Sequence, residues 1–153
     1  MFVILAVGCA PADVAGNYAV NLTSGDDGCA IAGWTVGEMI SGVSVIVVQD
    51  DDQTQLDVEG PAGTILDIVV GSSLFNGQVG GNGINAALIG DNTARMGECV
   101  YTYTIDLDAD VNGDFMEGQL RWHPVTNGHA DCGILETCFN LQSWNGSRPP
   151  RES

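Results

Sequence analysis

Residues 99–123 place the tightest constraint on what this chain can fold into. Cys99, Tyr101, Tyr103, Ile105 and Leu107 alternate with Val100, Thr102, Thr104 and Asp106, so an extended strand gives each set its own face. Asn112-Gly113 follows, a dipeptide suited to a two-residue hairpin turn. Phe115–His123 then returns with Met116, Gly118, Leu120 and Trp122 inward and Glu117, Gln119, Arg121 and His123 outward. A long antiparallel pair of this kind must bury one face against further structure.

The rest of the chain offers mainly strands for that purpose. Asn17–Thr23 sets Tyr18, Val20 and Leu22 on one side, and Val43–Gln49 is β-branched almost throughout. Gln53–Glu59, Thr64–Val70, Leu74–Val79, Ile84–Gly90 and Cys138–Trp144 read as further short strands. Asp50-Asp51-Asp52, Gly60-Pro61-Ala62-Gly63 and Gly80-Gly81-Asn82-Gly83 mark turns between them. Ala30–Met39, with Trp34, reads as irregular or a short helical turn, and no amphipathic helix of three turns is expected. The total is about nine strands at roughly 8–12-residue spacing, an all-β pattern that closes as an antiparallel barrel or, alternatively, folds as a two-sheet sandwich. Phe75-Asn76-Gly77-Gln78-Val79 is echoed by Phe115-Met116-Glu117-Gly118-Gln119-Leu120. An inward glycine at the same place in two strands predicts kinks where a barrel curves.

Phe2–Ala10 is a short apolar run, too brief to cross a bilayer as a helix. Its end, Ala6-Val7-Gly8-Cys9, resembles the lipobox of bacterial lipoproteins, although no Lys or Arg precedes it. The resemblance implies a signal peptide over residues 1–8 (truncated at its basic end), lipidation of Cys9 and a membrane-anchored mature protein. Ala10 after the cysteine resembles lipoproteins passed to the outer membrane. Residues 9–15 then read as the lipidated cysteine and a tether, 16–145 as one β domain and 146–153 as a tail. Extended, Ala10–Ala15 reaches about 20 Å, which holds the domain near its membrane.

Five cysteines in an exported chain leave one unpaired. Lipidation of Cys9 would use it, leaving Cys29, Cys99, Cys132 and Cys138 with three pairings open. Closeness in sequence favours Cys132–Cys138, with Cys29–Cys99 closing the long loop. The chain holds 20 acidic residues against four basic ones, all arginine, for a net charge of -16. Such a surface repels phosphate backbones and anionic headgroups, so nucleic acid is not an expected partner and acyl chains are the expected means of membrane attachment.

Gly16-Asn17-Tyr18 resembles the Gly-x-Trp opening of lipocalin-like barrels, with Tyr in place of Trp. The resemblance implies a calycin-like barrel able to hold a small apolar ligand, its interior lined by Tyr18, Tyr101, Tyr103, Leu120 and Trp122. Trp34 and Trp144 are further candidates for the core or the rim of such a cavity.

Two segments have metal-ligand composition. Asp108, Asp110, Asn112 and Asp114 match the opening positions of a calcium loop, but Gln119 stands where a bidentate Glu is required, and an acidic hairpin is the plainer reading. His129, Cys132 and Cys138 could bind zinc, but two cysteines in an exported chain more readily form disulfides. No nucleophile elbow, zinc-protease helix or phosphate-binding loop is present, and no cofactor is implied. The expected role is a lipid-anchored envelope protein acting in structure or interaction, not catalysis. A carrier of a small apolar ligand is the first alternative, and a hydrolase using paired carboxylates the second.

Overall fold

A computed structural model describes residues 10–150, so Cys9 and the expected signal peptide over residues 1–8 lie outside the described residues. The elements are β1 (Gly16–Asp27), β2 (Met39–Asp50), β3 (Gln53–Val58), α1 (Gly60–Val69), β4 (Leu74–Gly80), β5 (Gly83–Ile89), β6 (Ala94–Met96), β7 (Cys99–Asn112), β8 (Phe115–Thr126), a short 3-10 helix (Ala130–Glu136) and β9 (Asn140–Ser147). Eight strands run β1-β2-β3-β4-β5-β7-β8-β9, each antiparallel to its neighbours, and β9 pairs back onto β1. The sheet therefore closes as an up-and-down barrel, which resolves the choice between barrel and sandwich. β6 is an outer strand on the first residues of β7.

The hairpin of residues 99–123 sits where its alternation requires. Ile105, Leu107, Ala109 and Val111 pair with Trp122, Leu120, Gly118 and Met116, and the first four of these are buried. Asp108, Asp110, Glu117 and Gln119 stand on the outside. An apolar interior inside a polar wall is the inverse of the pattern of a membrane-spanning barrel. The two echoed glycines are close-approach points. A Cβ on Gly77 would collide with the Asn85 carbonyl oxygen, and one on Gly118 with that of Asp108. Both face an alanine across the ladder, Ala86 and Ala109, so each strand coils inward where neither partner has bulk.

The two ends of the barrel differ. Asp51-Asp52, Gly81-Asn82 and Gly113-Asp114 are two-residue turns at one end, each with positive φ at its first residue as a type II′ hairpin requires. Residues 11–15 are packed into this end and do not hang free. Val14 is fully buried, its N–H bonded to Gln49 Oε1 at 2.8 Å, while Gln49 Nε2 donates to the Ala12 carbonyl at 2.9 Å. From the other terminus Arg148, buried beyond the end of β9, donates to the Ala15 and Asp13 carbonyls at 2.6 and 3.0 Å and pairs with Asp114 at 2.9 Å. The tether and the start of the tail thus belong to the barrel, as its plug. All the long connections lie at the opposite, open end.

Three expectations change. Thr64–Val70 is helix, not strand. Pro61 occupies the first turn, where its missing N–H costs nothing. Ala62, Ile65, Leu66 and Val69 then form one apolar stripe at helical spacing, and Ile68, expected inward, is exposed. The disulfides are Cys29–Cys138 and Cys99–Cys132, with Cα separations of 5.0 and 4.9 Å, not Cys132–Cys138 and Cys29–Cys99. Barrel closure sets the first, because Asp27 of β1 pairs with Asn140 of β9 and so brings Cys29 beside Cys138. The second ties the 3-10 helix to the start of β7, where Cys99, Cys132 and Leu135 form a small separate core. The sheet also extends further than expected: β7 runs to Asn112, β8 to Thr126 and β9 to Ser147.

Candidate functional site

The barrel is not filled by its own side chains. A cavity of about 270 Å³ occupies the open half, between the inward residues of the wall and the two segments that roof it. Leu107, Leu120, Leu56 and Phe75 are typical of its wall. Their positions follow from alternation along strands paired in register.

The roof is built from α1 and from the loop between β1 and β2. α1 turns its apolar stripe to the cavity, with Leu66 half-buried beneath it. Its C-terminal carbonyls are held by Asn92, whose Nδ2 donates to Asp67 and Ile68 oxygens at 3.1 and 2.9 Å. Across the mouth, Ile31 and Trp34 come from the β1–β2 loop. The root of that loop is fixed by the Cys29–Cys138 bond and by buried Asn140, which accepts the Cys29 N–H at 2.8 Å and donates to Asp27 at 2.6 Å. Trp34 is held by its own N–H on the Gly25 carbonyl at 3.0 Å and by an edge-on contact with Trp122, ring centres 6.0 Å apart. The rim is apolar and open: Ile65 is 60 % exposed, Val69 48 % and Ile40 41 %.

Polar groups are few in the cavity wall. Trp122 Nε1 donates to Gln142 Oε1 at 2.8 Å, and Gln142 Nε2 donates to Ser24 Oγ at 3.4 Å, so these three satisfy one another. Trp144 lies two residues along β9 from Gln142 on the same inward face. Its indole N–H is buried and has no acceptor. Among the described residues Glu38 is the one acidic side chain lining the cavity, so these residues assemble no paired carboxylates of a hydrolase there.

Of the residues expected to line a ligand cavity, Leu120 and Trp122 do so. Tyr18 is buried at the plugged end, donating its hydroxyl to the Val14 carbonyl at 3.0 Å. Tyr103 and Tyr101 continue the aromatic row outward from Trp122, with ring centres 6.4 and then 5.8 Å apart, but stand outside the cavity. Desolvation, then the neighbouring Tyr101 and the Asp27 carboxylate, push the Tyr103 hydroxyl up to about 12. Trp34 and Trp144 are in the cavity lining, and the α1 stripe joins them. The last was legible as Ala62, Ile65, Leu66 and Val69 at helical spacing, a pattern masked by the overlapping alternation of Leu66, Ile68 and Val70.

The metal candidates do not assemble. Asp108, Asp110 and Asn112 stand on the outer face of an extended strand, where alternate residues lie roughly 7 Å apart and cannot converge on one ion. Asp114 is paired with Arg148. Cys132 and Cys138 are consumed by different disulfides, and His129 Nδ1 accepts the Asp131 N–H at 3.1 Å. Among the described residues no three His, Cys, Asp or Glu side chains are grouped to hold a metal. His123 and Asp106, 2.9 Å apart, belong to the outside of the barrel, not to the cavity.

Comparison of the chain with protein-family models, with curated proteins and with solved structures returned no match.

Proposed function

We propose that this protein binds one small, largely apolar molecule in the open end of its barrel. The observation that carries this reading is the cavity itself. An eight-stranded barrel has just enough interior to be filled by its own side chains or to hold one small ligand, and here about 270 Å³ is left unfilled. The mouth is stabilised by a disulfide, two tryptophans packed edge to face and a helix whose C-terminal carbonyls are bonded, which is a rigid scaffold for a pre-formed site. We place this binding role in an exported, lipid-anchored protein. Two disulfides suit an oxidising compartment, and mass spectrometry of the mature amino terminus tests acylation at Cys9.

The binding test is a calorimetric titration with toluene, a neutral one-ring probe of a size the cavity accepts, since anionic dyes are repelled by the acidic surface. Saturable one-to-one binding is expected in the native protein. Leu107→Phe extends a wall residue into the void and should abolish binding, at a stability cost of no more than about 1.5 kcal/mol because the space is already there. Absence of saturable binding, or binding undiminished in Leu107→Phe, would show that the cavity is not a ligand site.

A further inference from the structure

Glu38 is the one charged side chain that the described cavity wall carries, and the backbone fixes the side on which it leaves its strand. Ile40 of β2 pairs with Leu22 of β1, and both line the cavity. Two residues nearer the mouth, Glu38 stands opposite Ser24 in a glycine bulge. The Gly37 N–H donates to the Ser24 carbonyl at 2.7 Å, the Ser24 N–H donates to the Glu38 carbonyl at 2.9 Å, and Gly37 has a φ of 84°. Residues opposed across an antiparallel ladder share a face. Ser24 faces inward, where it accepts from Gln142, so Glu38 also leaves its strand on the cavity side. It is exposed at the rim, within reach of a molecule seated in the mouth, and no described residue forms a hydrogen bond or ion pair with its carboxylate.

The surroundings offer that carboxylate no cation. No described Lys, Arg or His lines the cavity; Arg121 lies over Phe139, and Arg148 is held at the plugged end. The whole chain carries -16, a field that draws cations toward the mouth and turns anions away. Trp34 adds a second attraction. It lines the same mouth, half-buried, with its indole N–H on the carbonyl of Gly25, next to the Ser24 that pairs with Glu38. Tryptophan is the strongest aromatic partner for an ammonium group. Behind this rim the space is apolar. An engineered cavity of roughly 150 Å³ accepts benzene, so this one accommodates a ring with a short arm or a comparable aliphatic skeleton. Resting on the binding role proposed above, we infer that the ligand is an apolar amine, its hydrocarbon body in the cavity and its ammonium group held at the rim by Glu38.

2-Phenylethylamine, protonated at neutral pH, and 2-phenylethanol provide a matched pair of probes, with the same ring and arm but a charge on only one. Calorimetric titration at low salt should show the native protein binding the amine about fivefold more tightly than the alcohol. Glu38→Gln should remove that advantage and leave the alcohol and toluene unchanged. Glu117→Gln, the same loss of one charge on the outer wall, should leave the amine as in the native protein, which separates Glu38 from the general field. In the native protein the Glu38 carboxylate carbon resonance should move with the amine and stay in place with the alcohol, a readout that does not depend on a variant folding. An amine-to-alcohol ratio equal in native and Glu38→Gln protein, an equal loss in Glu117→Gln, or an unmoved Glu38 resonance overturns the amine assignment. So does binding of toluene without the amine, which leaves the binding role intact. Binding of none of the three probes overturns the binding role and this inference with it.

Discussion

Gly118 and Gly80 show how one missing side chain can be structural in one place and incidental in another. Gly118 lies against the Asp108 carbonyl oxygen across the ladder, where any Cβ forces two backbones apart, whereas a Cβ on Gly80 meets open space. Gly118→Ala should therefore lower unfolding stability by about 2–3 kcal/mol, and Gly80→Ala should change it by no more than about 0.5 kcal/mol. Urea denaturation of the two variants checks this, and equal effects would mean that the strand does not coil at Gly118. Tyr103 makes a second residue-scale prediction. With its hydroxyl pushed up to about 12, the folded protein holds that proton over a range in which the unfolded chain, near 10, has lost it. Its contribution to stability is complete below pH 10 and is lost as pH rises toward 12. Tyr103→Phe should flatten the fall of stability with pH across that window. A slope unchanged by the substitution would mean that Tyr103 titrates like an exposed phenol.

At the scale of elements, the mouth is held by two covalent links that join different layers of the molecule. Cys29–Cys138 spans 109 residues and Cys99–Cys132 spans 33, so chain entropy assigns them about 5 and 4 kcal/mol respectively. Peptide mapping under non-reducing conditions should recover these two links. A Cys132–Cys138 peptide as the main species would refute the arrangement of the mouth. The elements also divide by how readable they were. Cys99–Leu107 and Phe115–His123 were legible because alternation set their faces and Asn112-Gly113 placed the hairpin, although Asn112 still pairs with Phe115 and the turn itself is Gly113-Asp114, one residue on; the matched glycines pointed correctly to where the barrel curves. α1 was not, because the apolar residues of so short a segment as Thr64–Val70 fit both periods, and only the packing of Leu66 against the core selects the helix. The cysteine pairing was not legible either. Sequence distance favours short loops, whereas barrel closure brings the first and last strands together, a relation no local pattern encodes. The cavity was half visible: Leu120 and Trp122 followed from alternation, while the Trp34 loop owes its place to Asn140 and a disulfide distant in sequence.

For the whole molecule the decisive property is polarity from end to end. The described amino-terminal residues are packed into the plugged end by Gln49 and Arg148, while the cavity opens at the other. Strands of 12 residues at about 3.3 Å per residue, tilted by roughly 40°, set these ends some 30 Å apart. If Cys9 carries the acyl anchor, only a single residue separates it from the packed segment that begins by Pro11, leaving little freedom for the domain to roll over. The mouth, with Trp34, Trp122 and the exposed Ile65 and Val69, then faces away from the anchoring bilayer, and the acidic wall discourages the barrel from lying flat on anionic lipid. This orientation predicts that the ligand comes from solution or from a facing surface, not from the anchoring leaflet. Acylated protein reconstituted in vesicles of brominated phosphatidylcholine tests it with native residues. Bromine quenches tryptophan only at close range, and all three tryptophans line the open-end cavity. Emission in brominated vesicles should match that in unbrominated ones. Strong quenching would put the mouth in the membrane, and the source of the ligand would move to the lipid itself.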